Sequence, residues 1–361
     1  MSIAMMNVRS IWASFACVAS LLSSVAGAQD TDVHDVLSMA KKCRTIETPE
    51  VKRHIDRAYV LIGRDLPQGL IPNLFIAPRM AGFCPPPSVP QVGIDNSEVA
   101  PIRAFDNLFY VGNRFVGAWA LKTSAGIILF DAMWSEKDAV TIIEPGLRSL
   151  ALDPADIKYL VITHGHIDHS GGAKHFQDTY GTKVLVGSDD LPLLTIPSAP
   201  GLPVVPAPTI DRPIKDGDEL ILGDTTVHLY VTPGHTPGSV AAVFPVTDKG
   251  TKHVATLFGG YGLPGSLAAD TSIPQRHSGL DTYIVQLERF REIGRVTRAD
   301  VAISTHPIFD DTVQKGGGVR LGDGKSPWVL GHKGWLRFTD ANLEVARAFK
   351  AMLRTETVEK P

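Results

Sequence analysis

The feature that most constrains this chain is a junction. A short, mostly apolar run at 157–163 ends directly in His164-Gly165-His166-Ile167-Asp168-His169, and Ser170-Gly171-Gly172 follows. A short continuous apolar run reads as a strand covered on both faces. The residues after it, 171–180, carry a helical pattern. Four side chains of metal-ligand type therefore sit on one strand-to-helix loop. Alternate residues on such a loop turn to different sides, so two ligand pairs can aim at two adjacent points. Imidazole nitrogens and a carboxylate suit zinc. The chain has only 12 histidines in 361 residues, so three within six positions is far denser than chance.

Two isolated histidines extend the set. His235 lies in Thr232-Pro233-Gly234-His235-Thr236-Pro237-Gly238-Ser239, and His306 lies in Ser304-Thr305-His306-Pro307. Each follows a strand pattern, and loops at strand ends are where a rigid sheet presents functional groups. His175 falls on the expected helix and reads as solvated, while His228, His253, His277 and His332 read as structural. Asp131, closing a strand, reads as a supporting carboxylate rather than a ligand. Trp134 reads equally well as a substrate wall or as packing. Tyr261 is a candidate hydrogen-bond donor to an oxyanion.

The surrounding pattern gives the fold class. Strands are expected at 107–111, 117–122, 126–130, 157–163, 183–187, 219–222, 226–231, 240–245, 253–258 and 301–304. Helices are expected at 136–149, 171–180, 280–293 and 339–354, with Ser135 capping the first. Both halves mix strands with helices, which implies an α/β layered sandwich with helices outside two sheets. Residues 29–100 read as an N-terminal extension, with short helices at 35–44 and 51–61 and then closely spaced Pro and Gly.

The first 28 residues have the layout of a secretory signal peptide: Arg9, an uncharged apolar stretch at 11–25, and Ala26-Gly27-Ala28 before Gln29. Losing Arg9 with that leader takes the formal net charge from −3 to −4. Export to the periplasm is the expected fate, with no membrane contact after cleavage. Of three cysteines, Cys17 leaves with the leader. Cys43 and Cys84 remain, an even pair in an oxidising compartment, and are expected to form one disulfide. With 35 Lys+Arg against 38 Asp+Glu, no nucleic-acid partner is expected. The expected partner is a small-molecule substrate.

The His-x-His-x-Asp-His run, the Pro-Gly-His-Thr-Pro-Gly-Ser segment and the late strand-end histidine resemble the metallo-beta-lactamase superfamily over about residues 101–355. The resemblance implies a four-layer αββα sandwich with a metal site at one edge of the sheets. It implies a first zinc site of His164, His166 and His235, and a second of Asp168, His169 and His306. Many members carry an Asp bridging both metals, commonly as Gly-Asp after a strand. This chain has Gly259-Gly260-Tyr261 there. No cysteine is available for the cysteine-containing lactamase subclass. The pattern is most similar to the third subclass (B3), whose second site is Asp-His-His. Ser326-Pro327-Trp328-Val329-Leu330-Gly331 resembles a tail segment of that subclass. A serine-bearing segment usual there is absent at 259–261.

Two divalent ions sharing a water lower its pKa toward neutrality, and the same ions polarise a carbonyl. Asp168 would then be ligand, water orienter and proton carrier. The expected function is opening of a cyclic amide, a β-lactam first, by zinc-activated hydroxide. A lactonase or other ester hydrolase on the same site is the alternative. The glycines at 259–260 favour it and the missing bridging Asp opposes it. A mono-iron redox member would need only part of this ligand set. A non-catalytic binding protein would be expected to have lost a ligand, and none is lost.

Overall fold

Apolar residues at consecutive strand positions require cover on both faces, and two packed sheets with outer helices supply it. The computed structural model describes residues 44–45, 48–68, 83–84, 95–195, 205–264, 273–317 and 326–358. The expected leader, the expected helix at 35–44 apart from Arg44, and Cys43 of the expected disulfide lie outside the described residues.

The first sheet has seven strands in sequential order: β1 (Ile102–Arg103), β2 (Leu108–Gly112), β3 (Gly117–Thr123), β4 (Gly126–Phe130), β5 (Ile157–Ile162), β6 (Lys183–Gly187) and β7 (Arg212–Ile214). β1 to β4 are antiparallel, and β4 to β7 are parallel. The second has five: β8 (Glu219–Leu222), β9 (Thr225–Val231), β10 (Val240–Asp248), β11 (Thr251–Leu257) and β12 (Val301–Ile303). Only the β11–β12 pair is parallel.

The two-residue period of the strands sorts the core into layers. In β4, Ile128 and Phe130 face the second sheet, where Phe130 stacks on Phe244 of β10. Ile127 and Leu129 turn the other way, toward the helices beside the first sheet. In β10, Val240, Ala242 and Phe244 point between the sheets. Ala241 and Val243 point outward to a third apolar layer.

The helices cover the outer faces. α1 (Pro49–Ile62) starts at Thr48, whose Oγ1 accepts from Val51 N at 3.2 Å. α2 comprises Glu136–Asp138, a π turn at Ala139–Ile143 and Glu144–Ser149. Pro145 cannot donate, and the hydrogen-bond register shifts one residue before it, with Glu144 N–H donating to Ala139 O. The single helix expected at 171–180 is two: α3 (Ile167–Ser170) and α4 (Ala173–Tyr180). The N–H groups of Gly171 and Gly172 between them donate to Met133 O (2.8 Å) and Ala132 O (3.1 Å). Then come α5 (Leu191–Leu194), α6 (Ile273–Thr297), α7 (Pro307–Asp310), α8 (Thr312–Gly316) and α9 (Gly331–Val358).

The helix inside the expected extension is core. Val51, Ile55, Ala58 and Ile62 of α1 repeat on one face and are buried with α9 and α6 beneath the second sheet. At about 1.5–3 kcal/mol per large apolar side chain, that face ties α1 firmly to the sandwich.

Candidate metal centre

Three turns at one edge of the two sheets build the site. β5 ends at Ile162, and Thr163 leads into His164-Gly165-His166. His166 is extended (ψ 149°), and α3 begins on the next residue, placing Asp168 and His169 in a tight helical turn. His235 sits between β9 and β10 in a turn closed by Thr232 N–H to Ser239 O at 2.7 Å. Gly234 before it has φ +146°, and a Cβ there would lie 2.6 Å from Tyr283 Cα. Glycine alone fits that approach. His306 follows β12 and precedes α7.

These turns bring all six sequence candidates together. His164, His166 and His235 form one group and Asp168, His169 and His306 a second, with the ligand atoms of each group all within 4.8 Å of one another. His235 Nε2 lies 3.2 Å from His166 Nδ1, and His169 Nε2 lies 3.1 Å from His306 Nε2. Asp168 Oδ2 is 3.5 Å from both His169 Nε2 and His306 Nε2. The groups adjoin, since the His164 and His169 rings are 3.9 Å apart. His164 Nε2 is buried and has no hydrogen-bond partner. A buried polar nitrogen left alone is costly, and converging imidazole nitrogens beside a carboxylate are what a divalent cation satisfies. The residues present fit such ions.

The opposite ring nitrogens are held. His169 Nδ1 pairs with Asp131 Oδ2 at 2.6 Å, His306 Nδ1 with Phe115 O at 2.7 Å, and His235 Nδ1 with Gly262 O at 2.8 Å. Thr163 Oγ1 lies 3.2 Å from His164 Nδ1. Partners of this kind fix ring orientation and tautomer. Burial and neighbouring imidazoles hold His164 and His235 well below the ordinary histidine pKa. Burial likewise brings His166 and His306 down to about 4. Burial works the same way on His169, but the Asp168 and Asp131 carboxylates outweigh it and raise that residue. Burial pushes Asp168 up, and His169, His306 and His166 together more than reverse it, keeping it ionised.

Comparison with known proteins agrees with this geometry. A sequence profile of the metallo-beta-lactamase superfamily matches residues 111–248. The crystal structure of BJP-1, a subclass B3 metallo-beta-lactamase of Bradyrhizobium japonicum, superposes with a TM-score of 0.60 at 25% identity, covering 73% of this chain and 97% of that one. Residues 111–248 therefore carry a metallo-beta-lactamase superfamily domain, and the fold is that of the metallo-beta-lactamases. An uncharacterized protein of Mycobacterium leprae is 37% identical over 123 residues, 28% of this chain and 55% of its own length. Hydroxyacylglutathione hydrolase GloC of Haemophilus influenzae is 28% identical over 124 residues, 31% of this chain and 58% of its own. The chain thus spans little more than half the length of these curated relatives.

Within this metallo-beta-lactamase fold, Asp131 takes the supporting place expected of it. It is fully buried, and besides His169 it accepts from Thr163 N (2.7 Å) and Thr163 Oγ1 (2.8 Å). Trp134 stacks on Phe115 at 6.0 Å, and Phe115 meets the His306 ring edge-on at 4.8 Å, so an aromatic wall flanks the second group. His175 is not free on its helix: its Nε2 lies 2.7 Å from Glu144 Oε1.

Tyr261 requires a correction. Its ring is 4% exposed and packs among Phe258, Phe309 and Phe338 in the layer between second sheet and helices. The expected oxyanion donor does not fit that placement. The segment's contribution is backbone: Gly260 packs on the His235 side chain and Gly262 O accepts from its ring. Two supporting residues escaped the sequence reading, Phe115 in the β2–β3 hairpin and Asp190 after β6. A carboxylate just past a strand end was the available signal for Asp190.

Proposed function

We propose that the chain is a dizinc hydrolase that opens a cyclic amide, with a β-lactam as its substrate. The observation that carries this is the complete pair of ligand groups, three histidines beside Asp-His-His, on a fold shared with a B3 lactamase. Zinc would be held by His164, His166 and His235 in one group and by Asp168, His169 and His306 in the other. When bound there, the ions supply Lewis-acid activation of water and of a carbonyl.

The chain's own residues do the rest. Asp168 is ionised, its side chain is 13% exposed, and one oxygen already faces His169 and His306. Its other oxygen can take a proton from attacking water and return it to the departing nitrogen. Asp131 and Phe115 O keep His169 and His306 turned inward. The Phe115–Trp134 wall excludes water on one flank and can cover an apolar substituent of the substrate.

A lactone or other ester is the second reading. The 259–261 backbone with its buried tyrosine, and the hydroxyacylglutathione hydrolase relative, favour it. Hydrolysis of a chromogenic cephalosporin by zinc-loaded protein separates the two. Turnover supports the lactamase reading. No cephalosporin turnover, with turnover of a lactone or thioester, moves the assignment to the ester class. We also propose cleavage after Ala28 and export. A mature N-terminus other than Gln29 in secreted material would contradict it.

A further inference from the structure

We infer that Asp190 is a positioning residue for the first ligand group alone. This rests on the metal-centre reading above. Asp190 is fully buried, and among the described residues it has no ionic partner. Its Oδ2 accepts from Gly165 N at 2.7 Å and from Thr236 Oγ1 at 2.6 Å. Its Oδ1 accepts from Gly238 N at 2.6 Å. One carboxylate therefore clamps two turns that are far apart in sequence.

The ligands on those turns are the three of one group. Gly165 is the residue between His164 and His166, so its held N–H fixes the peptide that sets how those rings diverge. Thr236 follows His235 directly. His169 and His306 of the other group are held instead by Asp131 and the Phe115 carbonyl. The packing is made for the clamp: a Cβ on Gly238 would lie 2.5 Å from Asp190 N, and one on Gly187 would lie 2.0 Å from Gly238 O. Larger residues would push the two turns apart. Hydrogen bonds to a charged acceptor are the stronger ones, and three converge here.

Asp190→Asn keeps the shape but replaces one acceptor oxygen with a donor, setting N–H against N–H or against the Thr236 hydroxyl. The test is zinc affinity, by competition with a chelator, in two single-group backgrounds. His306→Ala leaves the first group intact, and His235→Ala leaves the second. In the His306→Ala protein, adding Asp190→Asn should weaken zinc about 10- to 100-fold, the range for partners that orient ligands. In the His235→Ala protein it should change affinity by less than about 3-fold. Thr236→Val removes only one hydroxyl from the clamp and should give a smaller loss with the same selectivity. It serves if Asp190→Asn fails to fold. Equal weakening of both groups, or no weakening of the first, overturns the inference while leaving the metal centre standing. No zinc binding in either background overturns the metal centre and the inference together.

Discussion

The two ligand groups differ in charge more than in geometry. The first is three imidazoles, all depressed well below the ordinary histidine pKa by burial first and then by neighbouring imidazoles of both groups. The partners on its rings are neutral, Thr163 Oγ1 and Gly262 O. The second contains a carboxylate, and its His169 leans on a further one, Asp131. The first is therefore a neutral nitrogen cradle in which the buried His164 Nε2 has no hydrogen-bond partner. The second already holds compensating charge. Neighbouring sites on one sheet edge can thus rest on opposite electrostatics.

Four measurements break or sharpen that contrast. The largest effect is expected from His166→Ala, which removes a ligand from the neutral cradle. Zinc content should fall from two equivalents toward one and hydrolysis by at least about 100-fold, more than loss of a supporting partner costs, with circular dichroism unchanged. Activity without metal would break the account.

Asp131→Asn should act on the charged group. In the His235→Ala background its zinc affinity should drop about 10- to 100-fold. The contrast fails if the first group, measured in His306→Ala, loses as much.

Acid should act mainly through the depressed histidines. Folded His166 and His306 sit near 4 against an ordinary 6.5, so the unfolded chain binds more protons between those values. Metal-free protein should lose stability as pH falls from 7 to 5, of order 1–2 kcal/mol for each of these residues. His169 opposes this: its raised pKa gives stability that is present below 6.5 and lost as pH rises through its folded value. Denaturant midpoints at pH 7 and pH 5 measure the balance, and greater stability at pH 5 would invert it.

The smallest effect is expected from Trp134→Ala, on the wall beside the second group. KM should rise about 3- to 10-fold for substrates with an aromatic substituent, with kcat nearly constant, as for loss of one aromatic contact. An equal change for substrates without the ring would assign Trp134 to packing.

What the sequence made legible follows contact range. Four candidate ligands fall within six residues, and His235 and His306 stand at strand ends, so all six were readable. The clamps were not. Asp190 meets Gly165 and Gly238 across 25 and 48 positions, and Phe115 meets His306 across 191. No local pattern announces such pairs. Tyr261 shows the limit at a single residue: its place near the site was readable, but not the side its ring takes. With glycines on either side lying against His235, the ring turns to the aromatic layer. The amphipathic face of α1 was likewise plain in sequence, while its docking on α9 depended on the finished sandwich.

The central claim, hydrolysis carried by metal in these two groups, is tested most directly by titrating zinc into chelator-stripped protein while following cephalosporin, lactone and thioester turnover. The account predicts no turnover without zinc, and turnover that rises to a plateau at two equivalents. Undiminished turnover in the stripped protein would contradict it.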